Sequence, residues 1–419
     1  MSRTLFFISV NTRRIKTASK EKINKKNLKG VNVMKKWIQR TLCVVLLFSL
    51  FPSVTIQAND EIKSPLDEVK SAILIDQHTG MIVMDKNSKE SLSPASMTKI
   101  ATMLLIMEAI DQKKINWEDK VKASEYAASM GGSQIFLKAG EEMTVRDMVK
   151  GIAVASANDA SVAMAEHIAG SEKDFVRLMN EKVKELGLKN TVFHNTTGLP
   201  SDGHVSSAFD MAQLAKELLK HEEIIQFTGI YEDYLRKDSE DPFWLVNTNK
   251  LVRFYEGADG LKTGFTKEAM YCLTATAQKK DMRFIAVVFG APTSKARNEI
   301  VSSMLDYGFS QYKSKTLAKQ GDKVVKIRVE KGSPFMMSGV LSEPLKWLSS
   351  VQGAEQQVKK NIKVDNELTA PVKKGQQIGE MSLIIDGKEL SSVPIVAESD
   401  SVKASWGELL VRSMNEMVR

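Results

Sequence analysis

The sequence predicts an α/β fold, an antiparallel sheet packed on a helical block, followed by a small all-β domain and a C-terminal amphipathic helix. Three observations lead there. Short apolar strand-like runs flank a central stretch, the stretch itself has helical spacing, and alternation with turn punctuation takes over beyond about Lys315. The chain has 419 residues, 43% of them apolar and 26% charged, which excludes a disordered tail, a collagen-like repeat and a disulfide mini-protein.

Met34-Lys35-Lys36-Trp37-Ile38-Gln39-Arg40, followed by the apolar run Leu42 to Phe51, reads as a secretory signal peptide over residues 34–58, with Ala58 the expected last residue before cleavage. The apolar run is short for a bilayer span, although a permanent N-terminal anchor is the alternative. Residues 1–33 resemble no domain and are expected to be an untranslated or disordered extension, Lys29-Gly30-Val31 being encodable by a purine-rich ribosome site just before Met34. No small-residue lipoprotein pattern precedes Cys43. With the signal removed only Cys272 remains, so no intramolecular disulfide can form, and its apolar surroundings make it a small core residue.

The formal charge of +8 misleads, because 12 of the Lys and Arg residues precede Thr41 against the single acid Glu21. From Asn59 onward 47 basic residues face 50 acidic ones, so no basic field exists to hold nucleic acid.

In the body of the chain, Ser71 to Ile75 and Met81 to Met84 around Asp76-Gln77-His78-Thr79-Gly80 predict a β-hairpin. From Ser96 to about Leu219 the apolar spacing is helical, as in Met97, Ile100, Met103, Leu104 and Met107. Strands are expected again at Cys272 to Ala277 and Arg283 to Gly290, and a helix at Arg297 to Tyr307, so that both ends of a domain over 65–312 close one sheet. Val324 to Val329, Ile362 to Val364 and Met381 to Ile385 predict a β-rich domain over 315–397. In the last stretch, 402–419, Trp406, Leu409, Leu410, Met414, Met417 and Val418 fall on one helical face. That face suits a membrane surface, with Lys403, Arg412 and Arg419 toward anionic lipid, and suits equally a helix packed on its own domain.

Three short motifs occur in order: Ser96-Met97-Thr98-Lys99, Ser156-Ala157-Asn158 and Lys262-Thr263-Gly264. An S-x-x-K tetrapeptide alone arises by chance about once in 200 to 400 positions of average composition. Context raises its weight. Ser96 follows Pro94 and Ala95 at an expected helix start, so Lys99 lies one turn on along the same face, able to approach the hydroxyl. A serine hydroxyl is too weak an acid to attack a carbonyl unaided, and a lysine kept neutral by burial and nearby cations can take its proton.

The set resembles that of class A β-lactamases and penicillin-binding proteins. With Ile152 to Ala160, Gly257 to Gly264 and Gly131 to Phe136, the chain from about Pro65 to Tyr312 is similar to the low-molecular-weight penicillin-binding proteins that act as serine-type D-alanyl-D-alanine carboxypeptidases. The resemblance implies a β-lactamase/transpeptidase-like sandwich, peptidoglycan stem peptides as substrate, β-lactam antibiotics as inhibitors, and no cofactor. It implies Ser96 as nucleophile, Lys99 as its base, and Ser156 as proton relay to the leaving D-alanine. Asn158 would hold the peptide and the Lys99 amine. Lys262 and Thr263 would bind the terminal carboxylate, with Arg297 the candidate for a further arginine there. The oxyanion hole would use the N–H groups of Ser96 and of Phe265, the residue after Gly264, where histidine is commoner in the family.

Other chemistries find less support. There is no G-x-S-x-G or H-E-x-x-H, and His78, His167, His194, His204 and His221 lack metal-ligand spacing, so no metal is expected and His194 and His204 read as loop residues. A β-lactamase needs a carboxylate that drives water onto the acyl-enzyme, and Glu185 to Asn190 is out of register for it. A non-catalytic penicillin-binding module should lack one of Ser96, Lys99 or Lys262, and all are present.

Overall fold

The computed structural model describes residues 65–352, 358–365, 368–385 and 387–417, so the expected extension and signal peptide lie outside the described residues. Ser71–Asp76 (β1) and Ile82–Lys86 (β2) form the expected hairpin. Its turn is locked by the Asp76 carboxylate, which accepts the N–H and the hydroxyl of Thr79, both at 2.7 Å.

Ala258–Thr266 (β3), Met270–Lys279 (β4) and Met282–Ala291 (β5) complete an antiparallel sheet of order β2-β1-β5-β4-β3. β1 pairs with β5 from Ser71 opposite Phe289 to Asp76 opposite Phe284, so the two ends of the domain do close one sheet. Alternation sorts the side chains. Ile73, Ile75, Ile285, Val287 and Phe289 enter the core beneath the helices, while Ala72, Leu74, Phe284, Ala286 and Val288 enter a second core on the opposite face.

The helical block comprises Lys99–Asp111 (α1), Val145–Ala155 (α2), Asn158–Ala169 (α3), Glu172–Glu185 (α4) and Ala208–Leu218 (α5). Thr144, Ser171 and Ser207 start α2, α4 and α5 by accepting the N–H three residues on, satisfying donors that a helix start leaves free. Met103, Met148, Ile152, Phe175 and Leu214 fill the core between helices and sheet. Truncating the fully buried Phe175 to alanine would cost about 3–5 kcal/mol. Ser294–Gln311 (α6) covers the other face through Ile300, Val301, Met304 and Leu305.

Strands were expected to resume at Cys272, and they resume earlier: short pairs join Lys120–Lys122 to Glu142–Thr144 and Glu232–Leu235 to Phe243–Val246, and the main sheet resumes at Ala258. β3 is an edge strand with few β-branched residues, so its composition gives no strand signal, yet Gly260 to Gly264 are buried.

Beyond α6 the chain turns directly into Tyr312–Ala318 (β6), so β-structure begins before Lys315. Lys323–Glu330 (β7), Met336–Leu341 (β8), Leu345–Ser350 (β9), Val358–Val364 (β10), Gln377–Ile385 (β11) and Lys388–Ala397 (β12) follow. β6 pairs with β9, and a larger sheet runs β10-β11-β12-β8-β7 and then Leu368–Thr369. Its core holds Ile327, Val329, Leu341, Trp347, Ile378 and Ile395. Lys346 on β9 ties this domain to the first hairpin, its Nζ donating to Nε2 of His78 at 2.9 Å.

Trp406–Met417 (α7) ends the described chain. Its polar side faces the protein. Arg412 donates to the Gly332 carbonyl at 2.7 Å and stacks over Phe335, and Ser333 donates to the Glu408 carboxylate at 3.0 Å. Arg412 therefore turns back onto the β-domain instead of toward lipid. Trp406, Leu410, Val411 and Met414 are left exposed, at 80%, 51%, 58% and 60%.

Candidate active site

Ser96 and Lys99 were expected to open an α-helix, but Ala95–Thr98 is a 3₁₀ turn and α1 starts only at Lys99. The difference serves the pair. In a 3₁₀ turn residues i and i+3 eclipse, which stacks the two side chains, and Lys99 Nζ lies 3.2 Å from Ser96 Oγ.

Nζ also donates to Asn158 Oδ1 at 2.6 Å and to the Thr197 carbonyl at 2.7 Å. Lys99 is completely buried. Burial first and the charge of Lys262 second hold its pKa well below the ordinary lysine value, while Asp159 opposes them. Asp159 is itself occupied, accepting the N–H groups of Ile135, Leu137 and Ala160.

Ser156 caps α2 in the left-handed region, φ 64°, at a cost of about 1 kcal/mol. Its Oγ is buried without a hydrogen-bond partner, a hydroxyl free to exchange a proton. Asn158 opens α3 and is fixed from the Gly131 to Phe136 segment: its Nδ2 donates to the Gly131 carbonyl at 2.6 Å and its N–H to the Ser133 carbonyl at 2.8 Å.

β3 brings the third motif against the nucleophile turn. A Cβ on Gly264 would stand 2.7 Å from the Pro94 carbonyl, so only glycine lets the strand come this close. Phe265, next along β3, is half exposed, and its ring packs on Tyr271 with centroids 4.5 Å apart. Thr263 donates its hydroxyl to Thr248 Oγ1 at 2.8 Å.

Lys262 is 1% exposed, and among the described residues its ammonium meets only the Thr263 carbonyl, at 3.1 Å. Burial, then the charge of Arg297, lowers its pKa to about 7. Arg297, in the first turn of α6, is buried too and bonds only to Asn298 Oδ1 and Ser294 Oγ. Among the described residues neither cation has an acidic partner. Two buried positive charges without a counter-charge are costly unless an anion joins them.

The structure thus brings Ser96, Lys99 and Asn158 into contact, sets Gly264 against the turn that carries Ser96, and places Lys262 within electrostatic reach of both Lys99 and Arg297. Sequence reasoning missed Thr197, Thr248, Glu172 and Asn195, of which only Asn195-Thr196-Thr197-Gly198 carried a local signal, that of an Asx turn. It also passed over His204 as an ordinary loop residue. His204 is buried, and its Nδ1 accepts the His194 N–H at 3.0 Å, so Nε2 carries the proton and donates to Thr98 Oγ1 at 2.8 Å. Burial lowers its pKa to about 4, and the ring stays neutral near pH 7.

Residues 57–293 match the protein family described as D-alanyl-D-alanine carboxypeptidase, and residues 312–403 match that described as penicillin-binding protein 5, C-terminal domain. The chain is 53% identical over 387 residues to the D-alanyl-D-alanine carboxypeptidase DacF of Bacillus subtilis, covering 92% of this chain and 100% of that protein. Among solved structures, penicillin-binding protein 5 of Haemophilus influenzae superposes with a TM-score of 0.63 at 31% identity, over 80% of this chain and 98% of that one. Penicillin-binding protein D2 of Listeria monocytogenes, in its ampicillin-bound form, has a TM-score of 0.51 at 29% identity, over 58% of this chain and 97% of that one.

Proposed function

The chain belongs to the D-alanyl-D-alanine carboxypeptidase family, and on that premise we propose that it removes the terminal D-alanine from peptidoglycan stem peptides through an acyl-enzyme on Ser96. The observation that carries this reading is Lys99: a fully buried amine, its pKa held well below the ordinary lysine value by burial and then by the charge of Lys262, 3.2 Å from a serine hydroxyl.

As Ser96 Oγ bonds to the carbonyl carbon of the penultimate D-alanine, its proton passes to Lys99 Nζ and the carbonyl electron pair moves to oxygen. The N–H groups of Ser96 and Phe265 receive that oxyanion. Being backbone donors, they are retained with phenylalanine at position 265. Ser156 Oγ relays the proton to the departing amine, and water then releases the acyl group. Lys262, Thr263 and Arg297 hold the terminal carboxylate of the substrate, and Asn158 holds the peptide. A β-lactam presents the same carbonyl and carboxylate and acylates Ser96 in the same way.

The domains follow: a signal peptide at 34–58, a catalytic domain at 65–312, a β-rich domain at 315–397 and a membrane-surface helix at 402–419. The enzyme is exported and works at the outer face of the cell membrane. α7 supports peripheral attachment, because its polar residues grip the β-domain and its apolar face is left outward, the reverse of a helix packed on its own core. At 12 residues it is about 18 Å long, too short to cross a bilayer.

Intact-protein mass spectrometry before and after benzylpenicillin, and then with diacetyl-Lys-D-Ala-D-Ala, tests the reading. A stable adduct on Ser96 with release of D-alanine is expected. Rapid loss of the adduct without peptide turnover would make the protein a lactamase, and a stable adduct without turnover a sensor.

A further inference from the structure

A neutral lysine amine has two N–H bonds and one lone pair, and only the lone pair can take a proton from serine. At Lys99 two oxygens that can only accept, Asn158 Oδ1 at 2.6 Å and the Thr197 carbonyl at 2.7 Å, claim the two hydrogens. The remaining tetrahedral position faces Ser96 Oγ at 3.2 Å. The backbone of residues 195–198 thereby acts on the reaction without touching substrate. With only the Asn158 contact, the amine could rotate its lone pair away from Ser96.

That segment is built to keep the carbonyl still. Asn195 Oδ1 accepts the N–H of Thr197 at 3.2 Å, the Thr197 hydroxyl at 3.1 Å and the N–H of Gly198 at 2.7 Å. Glu172, at the start of α4, accepts the N–H and hydroxyl of Thr196 at 3.0 and 2.8 Å, and its second oxygen accepts the Tyr126 hydroxyl at 2.8 Å. From α1, Thr102 donates to the Thr196 carbonyl at 2.7 Å. Gly198 has φ +80° and lies so close to the nucleophile turn that a Cβ would fall 1.8 Å from the Ala95 carbonyl oxygen.

We propose that Asn195 and Glu172 are positioning residues for the proton transfer, holding the Thr197 carbonyl where it orients the Lys99 lone pair on the Ser96 hydroxyl. The proposal rests on Ser96 and Lys99 acting as nucleophile and base.

The test measures benzylpenicillin acylation of the full-length mature protein, per active site counted by mass-spectrometric titration, across pH, in the wild type and in Asn195→Ala, Glu172→Ala and Glu172→Gln. Asn195→Ala and Glu172→Ala should acylate about tenfold or more slowly per titrated site, with unchanged non-covalent penicillin affinity. A carbonyl acceptor stabilises the ammonium more than the amine, so its displacement lowers the Lys99 pKa and shifts the acid limb of the rate profile to lower pH. Glu172→Gln keeps an acceptor for Thr196 and should restore most of the rate. If the variants merely fold less well, fewer sites will titrate but each will react at the wild-type rate with the wild-type profile, and the proposal is overturned. Should Asn195→Ala fail to fold, the contrast between the two Glu172 variants decides alone. Failure of the underlying reading looks different: the wild type itself would form no adduct on Ser96.

Discussion

The two parts of the described chain differ in what they bury. In the α/β domain the ionisable side chains of Asp76, Lys99, Asp159, Asp210, Lys262, Arg283 and Arg297 are buried, whereas among the described residues of the β-domain the buried polar side chains are Ser382 and Ser401. Within the first group a second division appears. Arg283 meets Asp259 at 2.7 Å, Asp210 accepts from Asn190 and Thr191, and Asp159 is bound by backbone N–H groups, so these charges serve the fold. Among the described residues Lys99, Lys262 and Arg297 form no ion pair with an acid. Charge that is matched reads as architecture, and charge left unmatched in a buried cleft reads as chemistry waiting for a ligand.

The largest effects should come from the active site. Ser96→Ala should abolish labelling by a fluorescent penicillin and all release of D-alanine; persistent labelling would remove Ser96 as nucleophile. Lys99→Ala should lower acylation at least about a hundredfold, the scale of an absent general base. Its thermal melt should show a surviving fold.

Arg297→Leu should raise KM about thirtyfold or more for a peptide ending in a free carboxylate, the consequence of removing one partner of a buried charge pair. The same peptide ending in an amide should show no such change, and equal losses on both would assign Arg297 to the fold. Lys262 supplies a pH test. With its pKa near 7 in the empty site, it loses its charge above neutrality, and KM for the carboxylate substrate should then climb; Lys262→Arg should flatten the climb. Stability runs the other way. Between pH of about 7 and the ordinary lysine value the unfolded chain binds a proton that the folded chain does not, so stability rises with pH there. Lys262→Met should make that rise shallower.

In the β-domain the effects should be small and silent in catalysis. Deleting Ala404 to Arg419 should abolish binding to anionic vesicles and leave kcat as it was; unchanged vesicle binding would dispose of the anchor. Ser382→Ala removes a hydroxyl that donates to Glu389 at 2.9 Å, and should cost about 1 kcal/mol of stability with no change in acylation.

Much of the site was legible in the sequence because its chemistry is local: Ser96 and Lys99 stand one turn apart, and the other two motifs are contiguous tripeptides. The hairpin, the helical block and the strands after Cys272 were legible from periodicity. β3 was not, because a buried edge strand carrying lysine, threonine and glycine in its middle has neither alternation nor β-branched bulk. Thr197, Glu172 and Thr248 were hidden for another reason. They matter through bonds to residues far away in the chain, Thr197 to Lys99 and Thr248 to Thr263, and a single sequence records no such pairing. The terminal helix lay between, since its spacing announced an apolar face but only Arg412 and Glu408 told which side grips the protein.

The fit of Gly198 beneath Ala95 bears on how the enzyme could escape an antibiotic. Any side chain at that position would drive into the backbone of the nucleophile turn, and Gly264 meets the same turn from the other side. On the proposed reaction, the antibiotic and the natural peptide both depend on the one hydroxyl of Ser96 held between these two contacts. Mutational resistance through either glycine would therefore forfeit the natural reaction along with drug sensitivity. Discrimination has room to arise at Phe265, which is exposed next to Gly264 and where a change of shape need not move Ser96.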